Sequence, residues 1–121
     1  HPDEHGVGNI VNTALKPETD GLAMREAYNQ VILPALDNFA PDLILISAGF
    51  DAHALDPLAQ LEWEDGDYAW ITGKLMDVAE RRCANRIVSL LEGGYDLTGL
   101  AGGVRQHVAM LMGGTAGRFN E

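Results

Sequence analysis

Leu43-Ile44-Leu45-Ile46 and Ile87-Val88-Ser89-Leu90-Leu91 decide the fold. Neither run alternates cleanly between apolar and polar, as a strand with one wet face would. Such runs suit strands covered on both faces of a parallel sheet. A third short strand is expected over Ile10 to Leu15.

Helical periodicity fills the intervals. Asp20 is placed to cap a helix on which Met24, Ala27, Tyr28, Val31, Ala35, Leu36 and Phe39 share a stripe. Pro34 removes a backbone donor there and should kink the helix, and Ala40-Pro41 should end it. Asp65 is expected to cap a second helix, with Tyr68, Ile71, Leu75, Val78 and Cys83 inward. A third should turn Leu97, Leu100, Ala101, Val104, Val108 and Leu111 inward and stop at Gly113-Gly114. The order strand, helix, strand, helix, strand, helix predicts an α/β fold with parallel strands and crossover connections. Both faces and both edges of so small a sheet need cover, so the sequence expects more sheet than it contains.

The chain has 121 residues, 46% apolar and 21% charged, enough for one domain with one core. No apolar run approaches the length of a membrane span. No basic region followed by an apolar one opens it, so no secretory leader is expected. The polar start His1-Pro2-Asp3-Glu4-His5 reads as the middle of a longer chain. A net charge of −10 argues against nucleic acid and anionic membranes as partners, and favours cationic ligands. Cys83 is the one cysteine; it suits a reducing compartment, the cytoplasm, and reads as a small core residue.

In open parallel sheets ligands bind beyond the carboxyl ends of the strands. Here those ends are Ser47-Ala48-Gly49-Phe50-Asp51-Ala52-His53, which opens a long loop reaching Glu64, and Glu92-Gly93-Gly94-Tyr95. If the strands are neighbours, Asp51 and Tyr95 share a rim. Asp51 follows a glycine and can ligate a divalent metal; a turn-making aspartate is the plainer alternative. His53 adds an Asp-x-His, a weak ligand pattern, as are His1 and His5 near the chain start. His107, between apolar helical positions, reads as a packed histidine. Gly93 and Gly94 can cradle a phosphate at a helix start, or let a substrate pass while Tyr95 addresses a reacting carbonyl, or simply form a tight turn.

Together, Ser47 to His53, Asp56-Pro57-Leu58 and Leu91-Glu92-Gly93-Gly94-Tyr95-Asp96-Leu97 strongly resemble the histone deacetylase superfamily. The bacterial members are nearest: acetoin-utilisation proteins, acetylpolyamine amidohydrolases and histone-deacetylase-like amidohydrolases. The match runs from about Gly6 to Gly114. It implies a three-layer parallel sheet of the arginase/deacetylase type, of which residues 1–121 form the C-terminal part of a single domain.

The same resemblance implies roles. Asp51 matches a carboxylate ligand of zinc, or of another divalent transition metal such as iron(II). Tyr95 matches the tyrosine that stabilises the oxyanion. Gly93, Gly94, Leu58 and Phe50 match substrate-contacting positions, and Asp56 and Pro57 fix their loop. His53 is then not a ligand. The family's Asp-x-His ligand pair and its adjacent histidines, general base and acid, have no counterpart here. The implied reaction is hydrolysis of an acetyl-amide, in an acetyl-lysine peptide or an acetylated small molecule such as a polyamine, by metal-activated water. The chain alone is expected to be inactive, and to oligomerise or associate with the missing N-terminal part. A non-catalytic partner-binding α/β fragment and a small nucleotide-binding α/β unit are the alternatives.

Overall fold

The computed structural model describes residues 8–55 and 62–113. Helix α1 (Gly21–Ala27), a π turn (Tyr28–Ile32) and helix α2 (Leu33–Phe39) lead into strand β1 (Ile44–Gly49). Helix α3 (Asp65–Cys83), strand β2 (Ile87–Gly93) and helix α4 (Leu97–Leu111) follow. β1 and β2 pair in parallel, Ile44 against Ile87 through Ala48 against Leu91, and the register slips before Gly49 meets Gly93. The expected α/β order and parallel pairing are therefore present.

The third strand is not. Ile10 to Leu15 has no regular structure, and Ile10 and Val11 lie exposed. A strand exists only by sharing a ladder, and among the described residues the sheet is two-stranded.

The apolar stripe expected of the first helical segment buries only Met24 fully; Phe39 is 72% exposed. Asp20 caps α1 as expected, its Oδ1 accepting from the Ala23 N–H at 3.0 Å. The kink at Pro34 takes the form of the π turn, where the Leu33 N–H reaches back to the Tyr28 carbonyl. A proline ring in an α-helix strikes the carbonyl four residues earlier, and the wider turn relieves that clash. Charge ties these helices to α3. Arg25 reaches Asp67 at 3.1 Å, and Asp37 receives Arg82 at 3.1 Å and Arg81 at 3.3 Å. The Arg82 hydrogen bond, foremost, holds the Asp37 carboxyl below its usual range.

α3 starts at Asp65, its expected cap, and the N-cap is Glu64, one residue earlier. The Asp67 carboxylate accepts from the Glu64 N–H at 2.9 Å, so the third helical residue closes the first turn. Gly113 follows α4 with φ +96°, a conformation that suits a helix stop at glycine.

One side of the sheet is dry. Ile44, Val78, Ala79 and Cys83 form one cluster under Leu33, Leu36, Ile46 and Ile87. Ala48, Phe50 and Tyr68 form a second under Trp63, Leu100 and Val104. Cys83 is the small core residue expected. The other side is bare among the described residues: Leu43, Leu45, Val88 and Leu90 are 49%, 66%, 47% and 59% exposed.

α4 is turned from its expected orientation. Leu100 and Val104 reach the core edge, but Leu97 is 81% exposed and Ala101 and Val108 also face out. The buried stripe is Gly99, Gly103, His107 and Met110. Glycines face inward because α4 runs against bulky groups. A Cβ at Gly103 would sit 2.6 Å from the Phe50 ring, and one at Gly99 2.8 Å from the His53 imidazole. Gly103→Ala should therefore cost about 1–3 kcal/mol of stability, the usual range for overpacking. Urea unfolding checks this; an unchanged midpoint would mean α4 shifts freely.

Candidate active site

The site grows from the last rungs of the ladder. Beyond the register slip the Phe50 N–H donates to the Gly93 carbonyl at 2.8 Å, and the His53 N–H to the Phe50 carbonyl at 3.3 Å. Asp51 stands between these two bonds, on the strand-end rim. A Cβ at Gly93 would lie 3.5 Å from the Asp51 carboxyl carbon, and one at Gly49 3.0 Å from its Oδ1. The carboxylate thus stands over the end of β2, flanked by glycines that leave it approachable. β2 itself includes Glu92 and Gly93, so the turn is later than expected and begins at Gly94. Gly94 has φ +139°, open to glycine and strained for other residues, and even a Cβ there would meet Leu100 at 2.8 Å. Tyr95 leaves this turn 62% exposed. Asp51 and Tyr95 therefore project from one end of two adjacent strands.

Phe50 is placed differently from its expected substrate contact. It is 3% exposed, packed on Tyr68 with ring centroids 5.0 Å apart. Asp56, Pro57 and Leu58 lie outside the described residues, as do His1 and His5.

The long loop is tied at both ends. Trp63 and Ala52 share a backbone bond at 3.0 Å, and Ala54 and Trp63 another at 2.8 Å. His53 is 8% exposed; its Nε2 meets Asp65 Oδ1 at 2.8 Å and its Nδ1 accepts from the Leu55 N–H at 3.1 Å. Nε2 holds the loop to α3 and Nδ1 closes a turn within the loop, so both ring nitrogens are engaged. The phosphate-cradle alternative meets a filled site: the Asp96 carboxylate accepts from the Gly99 N–H at 2.8 Å at the start of α4. An anion there would face a resident one.

His107, expected to be packed, is 8% exposed between two hydroxyls. Its Nδ1 lies 2.7 Å from Thr72 Oγ1 and its Nε2 2.8 Å from Ser89 Oγ. Thr72 donates its own proton to the Tyr68 carbonyl at 2.6 Å. Thr72 must then accept from Nδ1–H, and in the neutral ring that burial favours, Nε2 accepts from the Ser89 hydroxyl.

The histone deacetylase domain model matches residues 2–111. The chain belongs to the histone deacetylase family. It is 40% identical over 119 residues to histone deacetylase 10, chloroplastic, of Oryza sativa subsp. japonica, covering 97% of this chain and 27% of that protein. It is 38% identical over 93 residues to the histone deacetylase-like amidohydrolase of Pseudomonas aeruginosa, covering 77% and 24%. The crystal structure of the HDA15 HD domain superposes with a TM-score of 0.74 at 30% identity, over 84% of this chain and 28% of that one. The histone deacetylase Clr3 gives 0.78 at 29%, over 88% and 17%. The deacetylase-type α/β fold follows, and the chain spans about a quarter of the length of these two relatives.

Burial pushes the His107 imidazole below its usual value of about 6.5. As pH falls through that usual value, the unfolded chain takes up a proton that the folded chain refuses. Stability is then full above about pH 6.5 and declines as pH drops toward the lowered folded value. Urea midpoints followed against pH should fall less steeply over this window in His107→Gln than in the parent. Parallel curves would show that His107 does not carry the loss.

Proposed function

We propose that the protein carrying this chain is a metal-dependent deacetylase that hydrolyses an acetyl-amide. Acetyl-lysine peptides and acetylated small molecules such as polyamines are the substrate class. The observation that carries this reading is the shared rim: the Asp51 carboxylate over Gly93, with Gly94 and Tyr95 on the adjoining strand end.

The rim suits a metal such as zinc, or another divalent transition metal, in part. Asp51 offers an accessible anionic oxygen donor. Among the described residues no three His, Cys, Asp or Glu side chains stand close enough to hold an ion. Asp51 is therefore one ligand, and the remaining donors come from outside these residues. When bound, the metal polarises the acetyl carbonyl and lowers the pKa of the attacking water.

The chain's own residues do the rest of what is assigned here. Asp51 fixes the site's position relative to β1. Tyr95 donates its hydroxyl to the carbonyl oxygen as negative charge develops on it. Gly93 and Gly94 let the acyl group pass close to the backbone, where side chains would obstruct it. Phe50 and His53 shape the rim from beneath rather than touching substrate. No general base is assigned to this chain, so by itself it should not turn over substrate. The net charge of −10 favours cationic carriers of the acetyl group. The buried single thiol suits a reducing compartment such as the cytoplasm.

In the full-length protein, Asp51→Ala should lose zinc and activity together. Tyr95→Phe should retain zinc yet lose about 10²–10³ in turnover, the usual cost of one oxyanion donor. Metal content and kcat on an acetyl-lysine peptide check both; full activity of Tyr95→Phe removes the tyrosine from the mechanism. The 121-residue chain, purified alone, should sediment as a dimer or larger, because one sheet face is bare among the described residues and its exposed aliphatic side chains recruit apolar cover. A monomer that deacetylates would contradict this whole assignment.

A further inference from the structure

We propose that His107 is a positioning residue: bonded to Ser89 of β2 and Thr72 of α3, it clamps Phe50 and so holds the Asp51 carboxylate at the strand end. The role given to Asp51 rests on the deacetylase reading above; the clamp itself does not.

Three elements converge on one ring. α4 carries His107, β2 carries Ser89 at 2.8 Å, and α3 carries Thr72 at 2.7 Å. Each nitrogen has a single partner of the right polarity, which fixes tautomer and ring plane together. The ring then presents itself to Phe50 edge to face, with centroids 5.7 Å apart and planes at 68°. Tyr68 holds the other side of Phe50 at 5.0 Å. Gly103, one helical turn before His107, removes the side chain that would otherwise displace the Phe50 ring.

The clamped residue sits at a junction. The Phe50 N–H is the one bonded to the Gly93 carbonyl, its own carbonyl receives the His53 N–H, and Asp51 follows it directly. Its Cβ also lies 3.2 Å from where a Cβ of Gly94 would stand, against the turn that delivers Tyr95. A displacement of Phe50 therefore moves the Asp51 backbone and releases the Tyr95 turn in the same event. A space-filling histidine would need neither hydroxyl. A hydrogen-bond network buried at His107 and Thr72 and half-buried at Ser89 fixes one geometry where apolar packing tolerates several.

The test compares the full-length protein with His107→Phe, which keeps an aromatic edge but loses both hydrogen bonds, and Ser89→Ala, which loses one. Amide hydrogen exchange of the metal-free proteins is read at Phe50 and at Ile46. The expected result is exchange about tenfold faster at Phe50, with Ile46 unchanged, since one hydrogen bond's worth of local opening is released. Zinc affinity should weaken about tenfold and kcat should fall by a similar factor, with KM within about twofold. Phe50→Leu combined with His107→Phe should lose no more activity than the worse single variant, because both act through one contact. Unchanged Phe50 exchange in both variants overturns the proposal, as does an additive double variant. If His107→Phe does not fold, Ser89→Ala decides on the same readouts. Asp51→Ala separates the two claims: zinc retained there ends the deacetylase reading, while Phe50 exchange still decides on the clamp.

Discussion

The Phe50 N–H to Gly93 carbonyl bond is the point from which the rim is built. Up to Ala48 the two strands pair in steady register, and any sequence of suitable apolar residues could supply those rungs. Past the slip, one further bond at 2.8 Å carries the pairing beyond the strand. It holds the residue before Asp51 to the residue before Gly94. Parallel pairing requires this adjacency of carboxyl ends, since the crossover through α3 returns the chain to the same end of the sheet. The rim is a consequence of topology, sharpened by one hydrogen bond.

That bond survives because of what is packed beneath it. Phe50 points away from the rim into the layer between β1, α3 and α4, so its side chain works as an anchor for its backbone. α4 comes near enough to complete the anchor only because Gly99 and Gly103 lack side chains. Polar groups finish the layer where apolar ones stop. His53 fixes the loop to Asp65, and His107 joins α4 to Thr72 and Ser89. Neither imidazole touches Asp51 through any of these bonds. Histidines near a candidate metal carboxylate are here structural, and their hydrogen-bond partners identify them as such.

Much of this was legible in residue order. Continuous aliphatic runs named β1 and β2, and the alternation with helices named their parallel pairing, which by itself places Asp51 and Tyr95 together. The strand-end motifs pointed to the family. Periodicity failed where packing partners decide the outcome. Ile10 to Leu15 looks like a strand but has no ladder to join among the described residues. On α4 the aliphatic stripe drew attention away from the spacing Gly99, Gly103, His107, four residues apart each time. Hydropathy ranks side chains by their transfer from water, and glycine scores poorly on it even where closeness of approach matters most. A histidine in register with two helical glycines was the available signal. Position in a motif fixes neither the direction of a side chain nor its burial, and Phe50 lies packed beneath the rim.

The side and edges of the sheet that are bare among the described residues bear on how the site is completed. Two donors sharing an ion of zinc's size, each about 2.0–2.2 Å from it, stand at most about 4.4 Å apart. Neighbouring strands lie about 4.7–4.9 Å apart, so a parallel strand beside β1 would bring its carboxyl end within side-chain reach of Asp51. Among the described residues β1 is paired on one edge only. On the deacetylase reading, that open edge of β1 is the direction from which further donors arrive, because the opposite edge is already filled by β2 and its glycines. The exposed Leu43, Leu45, Val88 and Leu90 belong to the same argument. A strand added at that edge leaves the face open, but the crossover helix that a parallel strand brings with it can lie on the face, so completing the site and drying the sheet call for the same kind of βα segment.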